Sequence, residues 1–179
     1  RESMLEINDH QSILKLISDL TDGLSFIWNK NVVHRDLKPE NIIIKPNGRP
    51  CILDLGIARF LFLVSLTKTI SPMGPCTPIY ASPEQLINNK NLIDQRTDFF
   101  SLGIIALELC LGIHPFDPIY VGNDFSIVEN IMQNKYVTET TTTKCNEKLL
   151  TFAEKTLQIQ PFNRFRNFKI LKEFITKNI

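Results

Sequence analysis

The sequence is poor in glycine and has no excess of charge of either sign. Its 179 residues include only 7 glycines, and the G-x-G-x-x-G pattern of a glycine-rich phosphate-binding loop does not occur. The 20 basic and 19 acidic residues give a net charge of +1. Such a balance predicts no charged surface for nucleic acid or for a membrane, so both are expected to be absent from the partners.

Paired cysteines and long hydrophobic runs are also missing. The four cysteines, Cys51, Cys76, Cys110 and Cys145, form no C-x-x-C pair, and their spacing favours reduced thiols. The longest apolar stretch, 99–113, is too short to span a bilayer and predicts a buried helix. No apolar segment typical of a signal peptide follows the N-terminus. We therefore expect a cytoplasmic protein.

The apolar residues are numerous enough for one hydrophobic core. They make up 43% of the chain, and a chain of this size buries roughly 70% of its surface on folding. Their spacing predicts helices at 12–30, 97–111, near 125–135, 146–157 and 167–177. Short β-branched runs predict strands at Val32–Val33, Ile42–Ile44 and Cys51–Leu53, and 60–82 is expected to be a long loop. The expected fold class is α+β and mostly helical.

The most informative segment is H-R-D-L-K-P-E-N at residues 34–41. It resembles, at every position, the catalytic loop of eukaryotic-like protein kinases. The resemblance implies that Asp36 is the catalytic base, that Lys38 contacts the phosphate and that Asn41 binds Mg²⁺. A charged surface loop between two strands is the alternative, and eight consecutive matches disfavour it.

A second motif, Asp54-Leu55-Gly56, begins thirteen residues after Asn41. It resembles the D-F-G metal-binding motif of the same family, with leucine in place of phenylalanine. A strand–turn–strand hairpin between the motifs brings Asn41 and Asp54 together, and their oxygen atoms are ligands that Mg²⁺ prefers. The resemblance implies that Asp54 helps to bind Mg²⁺ and ATP, and that Ile43 lies under the adenine.

The segment C-T-P-I-Y-A-S-P-E-Q at 76–85 resembles the end of a kinase activation segment, in the form common in bacterial-type serine/threonine kinases. The resemblance implies that Thr77 assists Asp36 and Lys38. Cys76 stands where the family usually has glycine, which reduces backbone freedom at this point.

Two further motifs have structural roles in the family. D-F-F-S-L-G-I at 98–104 resembles the start of the central buried helix, which implies that Asp98 accepts hydrogen bonds from the catalytic-loop backbone. Q-P-F-N-R at 160–164 resembles the D-P-x-x-R motif, which implies a buried ion pair between Arg164 and Glu84. Ordinary surface charges are the alternative for both.

Regulation by phosphorylation is also implied. His34 and Arg35 precede the catalytic aspartate, and an arginine there is typical of kinases that are switched on by loop phosphorylation. The Thr67-Lys68-Thr69 segment resembles a double autophosphorylation site, so Thr67 and Thr69 are predicted phosphosites. A solvated loop rich in hydroxyl groups is an equal alternative.

The five motifs follow one another in family order across 12–176. The chain, 1–179, therefore resembles the C-terminal lobe of a eukaryotic-like (bacterial-type) Ser/Thr protein kinase domain, in which short β hairpins carry the catalytic and metal-binding loops. Neither a glycine-rich loop nor a V-A-I-K strand occurs, so we expect the N-terminal lobe to be absent from this chain and to be its partner. The implied activity is phosphoryl transfer from ATP and Mg²⁺ to protein substrates. The alternative is a catalytically incomplete lobe that acts as a protein-binding or regulatory module.

Overall fold

The structure is a computed structural model, and it describes residues 10–54, 59–60, 76–141 and 145–179. Within these residues the helices are α1 (His10–Trp28), α2 (Pro83–Leu86), α3 (Gln95–Leu111), α4 (Pro118–Val121), α5 (Ile127–Gln133), α6 (Glu147–Thr156) and α7 (Phe168–Asn178). The strands are β1 (Val32–Val33), β2 (Ile42–Ile44), β3 (Pro50–Ile52) and β4 (Arg59–Phe60). The expected α+β, mostly helical class is confirmed.

Helix α3 is buried on nearly all sides and forms the centre of the core. It begins after Asp94, whose carboxylate accepts the backbone N–H of Arg96 at 2.8 Å, and it ends at Gly112 in the left-handed conformation (φ 70°). At Gly103 a Cβ atom would clash with the Thr156 side chain, so glycine is what allows α6 to pack closely against α3.

Helix α1 packs against both α3 and α7, and it has one apolar face. Its buried apolar residues recur at the helical period; they are Ile13, Leu14, Leu16, Ile17, Leu20, Leu24 and Trp28. The five helices predicted from apolar spacing begin and end within two residues of those observed. The four-residue helices α2 and α4 were not predicted, because one turn is too short to show a period.

The strands form two small antiparallel pairs. Strand β2 pairs with β3, with Ile42 opposite Ile52, and β1 pairs with β4, with Val32 opposite Phe60. The expectation of a loop over 60–82 was wrong at both ends, since Phe60 belongs to β4 and Pro78–Tyr80 form a turn of 3₁₀ helix. Among the described residues, no helix combines the length and hydropathy needed to cross a bilayer. The predicted phosphosites Thr67 and Thr69 lie outside the described residues.

Candidate active site

The loop between β1 and β2 is attached to the core by Asp98, in the first turn of α3. The Asp98 carboxylate is fully buried and accepts the backbone N–H groups of His34 and Arg35, each at 2.9 Å. The Trp28 indole N–H donates to the same carboxylate at 2.7 Å. Burial raises the pKa of Asp98, and the three donors oppose that rise. This contact therefore sets the backbone position from which the loop continues to Asp36.

Asp36 lies at the centre of a cluster of polar side chains. Its Oδ1 atom accepts both the backbone N–H of Thr77 at 3.0 Å and the Thr77 hydroxyl at 2.6 Å. Its Oδ2 atom is 2.9 Å from the ammonium group of Lys38, which also lies 2.6 Å from the Thr77 hydroxyl. The structure thus brings together three of the residues that the sequence predicts to be catalytic.

The cluster is partly open to solvent and keeps a negative charge on Asp36. The side chains of Lys38 and Asp36 are 22% and 15% exposed. Burial raises the pKa of Asp36, but the hydrogen bonds from Thr77 and Lys38 and the charge of Lys38 outweigh it, so the pKa is below its ordinary value. An ionised carboxylate beside an ammonium group is therefore within reach of a molecule that arrives from solvent.

Asn41 and Asp54 are adjacent through the β2–β3 pairing. The Asn41 carbonyl accepts the backbone N–H of Leu53 at 2.8 Å, and Asp54 is the next residue after Leu53. The Asn41 amide nitrogen donates to the backbone carbonyl of Asp36 at 2.8 Å and to its Oδ2 at 3.2 Å, so the amide oxygen points away from Asp36. Asp54 is exposed and has a φ of 58°.

The donor set near Asn41 fits magnesium with a phosphate ligand. An amide oxygen and a carboxylate are hard ligands, and Mg²⁺ is usually held by one or two protein groups together with phosphate oxygens and water. Within the described part of the chain, no group of three or more His, Cys, Asp or Glu side chains is placed to hold a metal by itself. Asn41 and Asp54 can therefore contribute to a metal site that a nucleotide completes.

Apolar side chains are exposed on the same hairpin. Ile43 in β2 is 49% exposed, and Leu53 just after β3 is 39% exposed. Both are of the size that normally lies in a protein core, so this surface is suited to a flat apolar ligand or to a second protein domain.

The segment that carries Thr77 is anchored to the core beyond it. Glu84 and Arg164 form a two-point ion pair with distances of 2.7 and 2.8 Å, and both side chains are almost completely buried. The Thr97 hydroxyl donates to Glu84 at 2.9 Å. The contact that the sequence implied between Glu84 and Arg164 is thus present, and it connects α2 with the turn that precedes α7.

Two residues of this region were not singled out from the sequence. The Gln85 amide donates to the backbone carbonyl of Arg35 at 2.8 Å, which connects α2 directly to the loop between β1 and β2. The Tyr80 hydroxyl donates to Glu108 at 2.7 Å, and burial raises the pKa of Glu108. Gln85 belongs to the S-P-E-Q segment and could have been found there, whereas the Tyr80 contact has no signal in local sequence.

The chain belongs to the protein kinase family, because the model of the protein kinase domain matches residues 3–175. It is 39% identical over 109 residues to "Serine/threonine-protein kinase pkn2" of Myxococcus xanthus, which covers 58% of this chain and 13% of that protein. It is 35% identical over 107 residues to "Serine/threonine-protein kinase PknB" of Mycobacterium leprae, covering 59% and 17%. It is 33% identical over 124 residues to "Probable serine/threonine-protein kinase ireA" of Dictyostelium discoideum, covering 68% and 12%.

The family expected from the sequence is confirmed, and the relatives from Myxococcus xanthus and Mycobacterium leprae are named as serine/threonine-protein kinases. The matched segments span less than a fifth of the length of these relatives. The chain is a partial kinase domain.

Proposed function

We propose that this chain is the C-terminal lobe of a protein kinase domain and catalyses phosphoryl transfer from Mg-ATP to Ser/Thr hydroxyls of proteins. The observation that carries the proposal is the contact of the Asp36 carboxylate with both Lys38 and Thr77, at an edge of the molecule that solvent reaches. Phosphoryl transfer depends mainly on positioning and on charge stabilisation, and these three side chains supply both.

Asp36 orients the substrate hydroxyl. Its lowered pKa keeps it ionised at neutral pH, so it is a hydrogen-bond acceptor there. Thr77, Lys38 and Asn41 already direct four donors at its two oxygen atoms, and the bond from Asn41 Nδ2 to Oδ2 is the longest of them at 3.2 Å. A substrate hydroxyl would therefore take the place of the Asn41 bond at Oδ2. Because the transition state of phosphoryl transfer is loose, orientation of the hydroxyl contributes more than early removal of its proton.

Lys38 provides positive charge beside the attacking hydroxyl. Its ammonium group is held between Asp36 Oδ2 and the Thr77 hydroxyl, at 2.9 and 2.6 Å. A phosphoryl group approaching a hydroxyl at Asp36 would meet this cation. The geometry therefore favours Lys38 as the phosphate contact and Thr77 as the residue that positions it.

Asn41 and Asp54 are the residues that would hold Mg²⁺, and the bound metal would neutralise charge on the phosphates of ATP. Ile43, half-exposed on β2, would lie beneath the adenine. The surface of Ile43 and Leu53 would be covered by an N-terminal lobe that carries the glycine-rich loop, which does not occur among these 179 residues. Thr67 and Thr69 remain proposed phosphosites, with Arg35 as the group that would bind the phosphate.

The test is transfer of labelled phosphate from ATP to a generic basic protein. Asp36→Asn keeps the size of the side chain and removes its charge, so we expect the rate to fall by about 100-fold or more. Asp124→Asn, at an exposed position outside the cluster, is the matched control and should leave the rate unchanged. Equal rates for the wild type and Asp36→Asn would contradict the assignment.

A second candidate function is a protein-binding or regulatory module without catalysis. It is favoured by the exposed apolar pair Ile43 and Leu53 together with the absence of a G-x-G-x-x-G sequence. Calorimetry with ATP separates the two: a catalytic lobe that lacks one wall of the nucleotide site should bind ATP weakly but measurably, in the millimolar range, whereas the module should not bind it. No transfer by the wild type, with no measurable ATP binding, would favour the module.

A further inference from the structure

Two cysteine side chains meet on the side of the core formed by α3 and α6. Cys110 lies in the last turn of α3, and Cys145 lies two residues before the first residue of α6. Their Sγ atoms are 2.7 Å apart, only about 0.7 Å more than the length of a disulfide bond. All four cysteines of the chain are free thiols in this structure. The pair is thus in the reduced form but already close to bonding distance.

The surroundings of Cys110 favour its reaction with an oxidant. Cys145 is buried (3% exposed), whereas Cys110 is only partly buried. A hydrogen bond with the Cys145 thiol lowers the pKa of Cys110 to about 7; burial opposes this shift, and His10, at the start of α1, adds to it. A considerable fraction of Cys110 is therefore thiolate at neutral pH, and the thiolate is the form that oxidants attack.

We propose that Cys110 and Cys145 are a redox site that a peroxide converts into an intramolecular disulfide. The Cys110 thiolate attacks one oxygen of hydrogen peroxide, which gives a sulfenic acid and, after protonation, one water. The Cys145 thiol then attacks the Cys110 sulfur, which forms the S–S bond and releases the second water. Two thiols are oxidised and one peroxide is reduced to two waters. This inference does not depend on the proposed phosphoryl transfer.

The bond would connect the end of α3 to the start of α6, across 35 residues of sequence. A cross-link of this length restricts the unfolded chain, and for a protein of this size it should raise Tm by roughly 10 °C.

The other two cysteines have different surroundings: Cys51 lies in β3, and burial raises the pKa of the Cys76 thiol. We therefore expect oxidation to be selective for the α3–α6 pair.

The test is mild treatment of the protein with hydrogen peroxide, followed by intact mass measurement and peptide mapping without reduction. We expect loss of two hydrogens, about 2 Da, a linked peptide pair containing Cys110 and Cys145, a raised Tm, and reversal of all three by dithiothreitol. Cys110→Ser and Cys145→Ser should each abolish the mass loss. Cys51→Ser is the matched control and should retain it.

Peptide mapping of the unmutated chain does not depend on whether a variant folds. A stable sulfinic acid at Cys110 with Cys145 still open to alkylation would overturn the proposal. A disulfide between two copies of the chain, or one that includes Cys51 or Cys76, would overturn it as well.

Discussion

Two pairs of opposite charge in this molecule differ in how far solvent reaches them. Glu84 and Arg164 are 1% and 0% exposed, whereas Asp36 and Lys38 are 15% and 22% exposed. In the buried pair, Arg164 donates two bonds to the carboxylate and further bonds to the backbone carbonyls of Arg96, Gln158 and Ile159. Its hydrogen-bonding capacity is used within the protein, so this pair serves as an anchor.

In the open pair, the cation Lys38 makes fewer hydrogen bonds than Arg164 makes in the buried pair. Lys38 makes a single contact with each of its two partners, Asp36 and Thr77, and its ammonium group has three hydrogens to donate. A charged group that is held in position, but whose hydrogen-bond donors are not all used within the protein, can still bind a ligand. The comparison therefore teaches that the hydrogen-bond saturation of the cation, more than the presence of charge, separates the structural pair from the candidate catalytic one.

The largest effect should come from breaking the buried pair. Arg164→Met leaves the Glu84 carboxylate buried without its partner, and we expect the free energy of unfolding to fall by about 3–5 kcal/mol. Denaturant unfolding measures the change. Arg166→Met, at an exposed position two residues away, is the matched control and should change stability by less than about 0.5 kcal/mol.

A double variant sharpens this prediction. Glu84→Gln together with Arg164→Met removes both charges, so it should be more stable than Arg164→Met alone. If the double variant were as unstable as the single one, loss of packing against Phe100, over whose ring the guanidinium lies at 4.9 Å, would be the larger cause.

The next largest effect should come from Asp98, which connects the buried region with the open one. Asp98→Asn keeps the shape but turns an amide N–H₂ toward one of the donors from Trp28, His34 and Arg35. We expect a loss of about 2–4 kcal/mol in the free energy of unfolding, since at least one buried donor loses its acceptor. Asp124→Asn serves again as the exposed control.

Unchanged stability of Asp98→Asn would contradict this prediction, because it would mean that the three donors do not need both carboxylate oxygens as acceptors. Amide hydrogen exchange of His34 and Arg35 would then show whether the loop backbone is still held to α3.

The sequence predicted the helices and the contacts between motif residues, but not the long-range contacts that lie outside the motifs. Apolar residues at helical spacing define α1 and α3 locally, and motifs such as S-P-E-Q place Glu84 without any knowledge of the fold. The β1–β4 pairing, the Tyr80–Glu108 bond and the Cys110–Cys145 contact join residues 26 or more positions apart. No local pattern encodes these contacts, because each depends on how the helices pack.

The cluster around Asp36 likewise combines residues that the sequence predicts with contacts that it does not. The identities of Asp36, Lys38 and Asn41 follow from eight consecutive motif residues, whereas the bond from Gln85 to the Arg35 carbonyl appears only in three dimensions. The assignment of catalytic and metal-binding roles stays a prediction.

The smallest expected effect comes from a change at Thr77, whose hydroxyl contacts both members of the open pair. Thr77→Val removes the hydroxyl that donates to Asp36 at 2.6 Å and keeps the backbone N–H that donates at 3.0 Å. Since that hydroxyl is one of the groups that lower the pKa of Asp36, the pKa should rise in the variant. Stability at neutral pH should fall by about 1 kcal/mol. A carboxyl-detected NMR titration measures the pKa, and Thr151→Val, on α6, is the matched control.

The sign of the pH dependence follows from the same contacts. Asp36 has a folded-state pKa below its unfolded value of 3.8, so the stability it contributes is present above that pH and is lost as the pH falls through the folded-state pKa. In Thr77→Val the two values lie closer together, so less stability should be lost on acidification. An unchanged or lower titration midpoint for Asp36 in the variant would mean that Lys38 and the backbone N–H of Thr77 are sufficient to lower the pKa of Asp36. The Thr77 hydroxyl would then position the lysine without tuning the carboxylate.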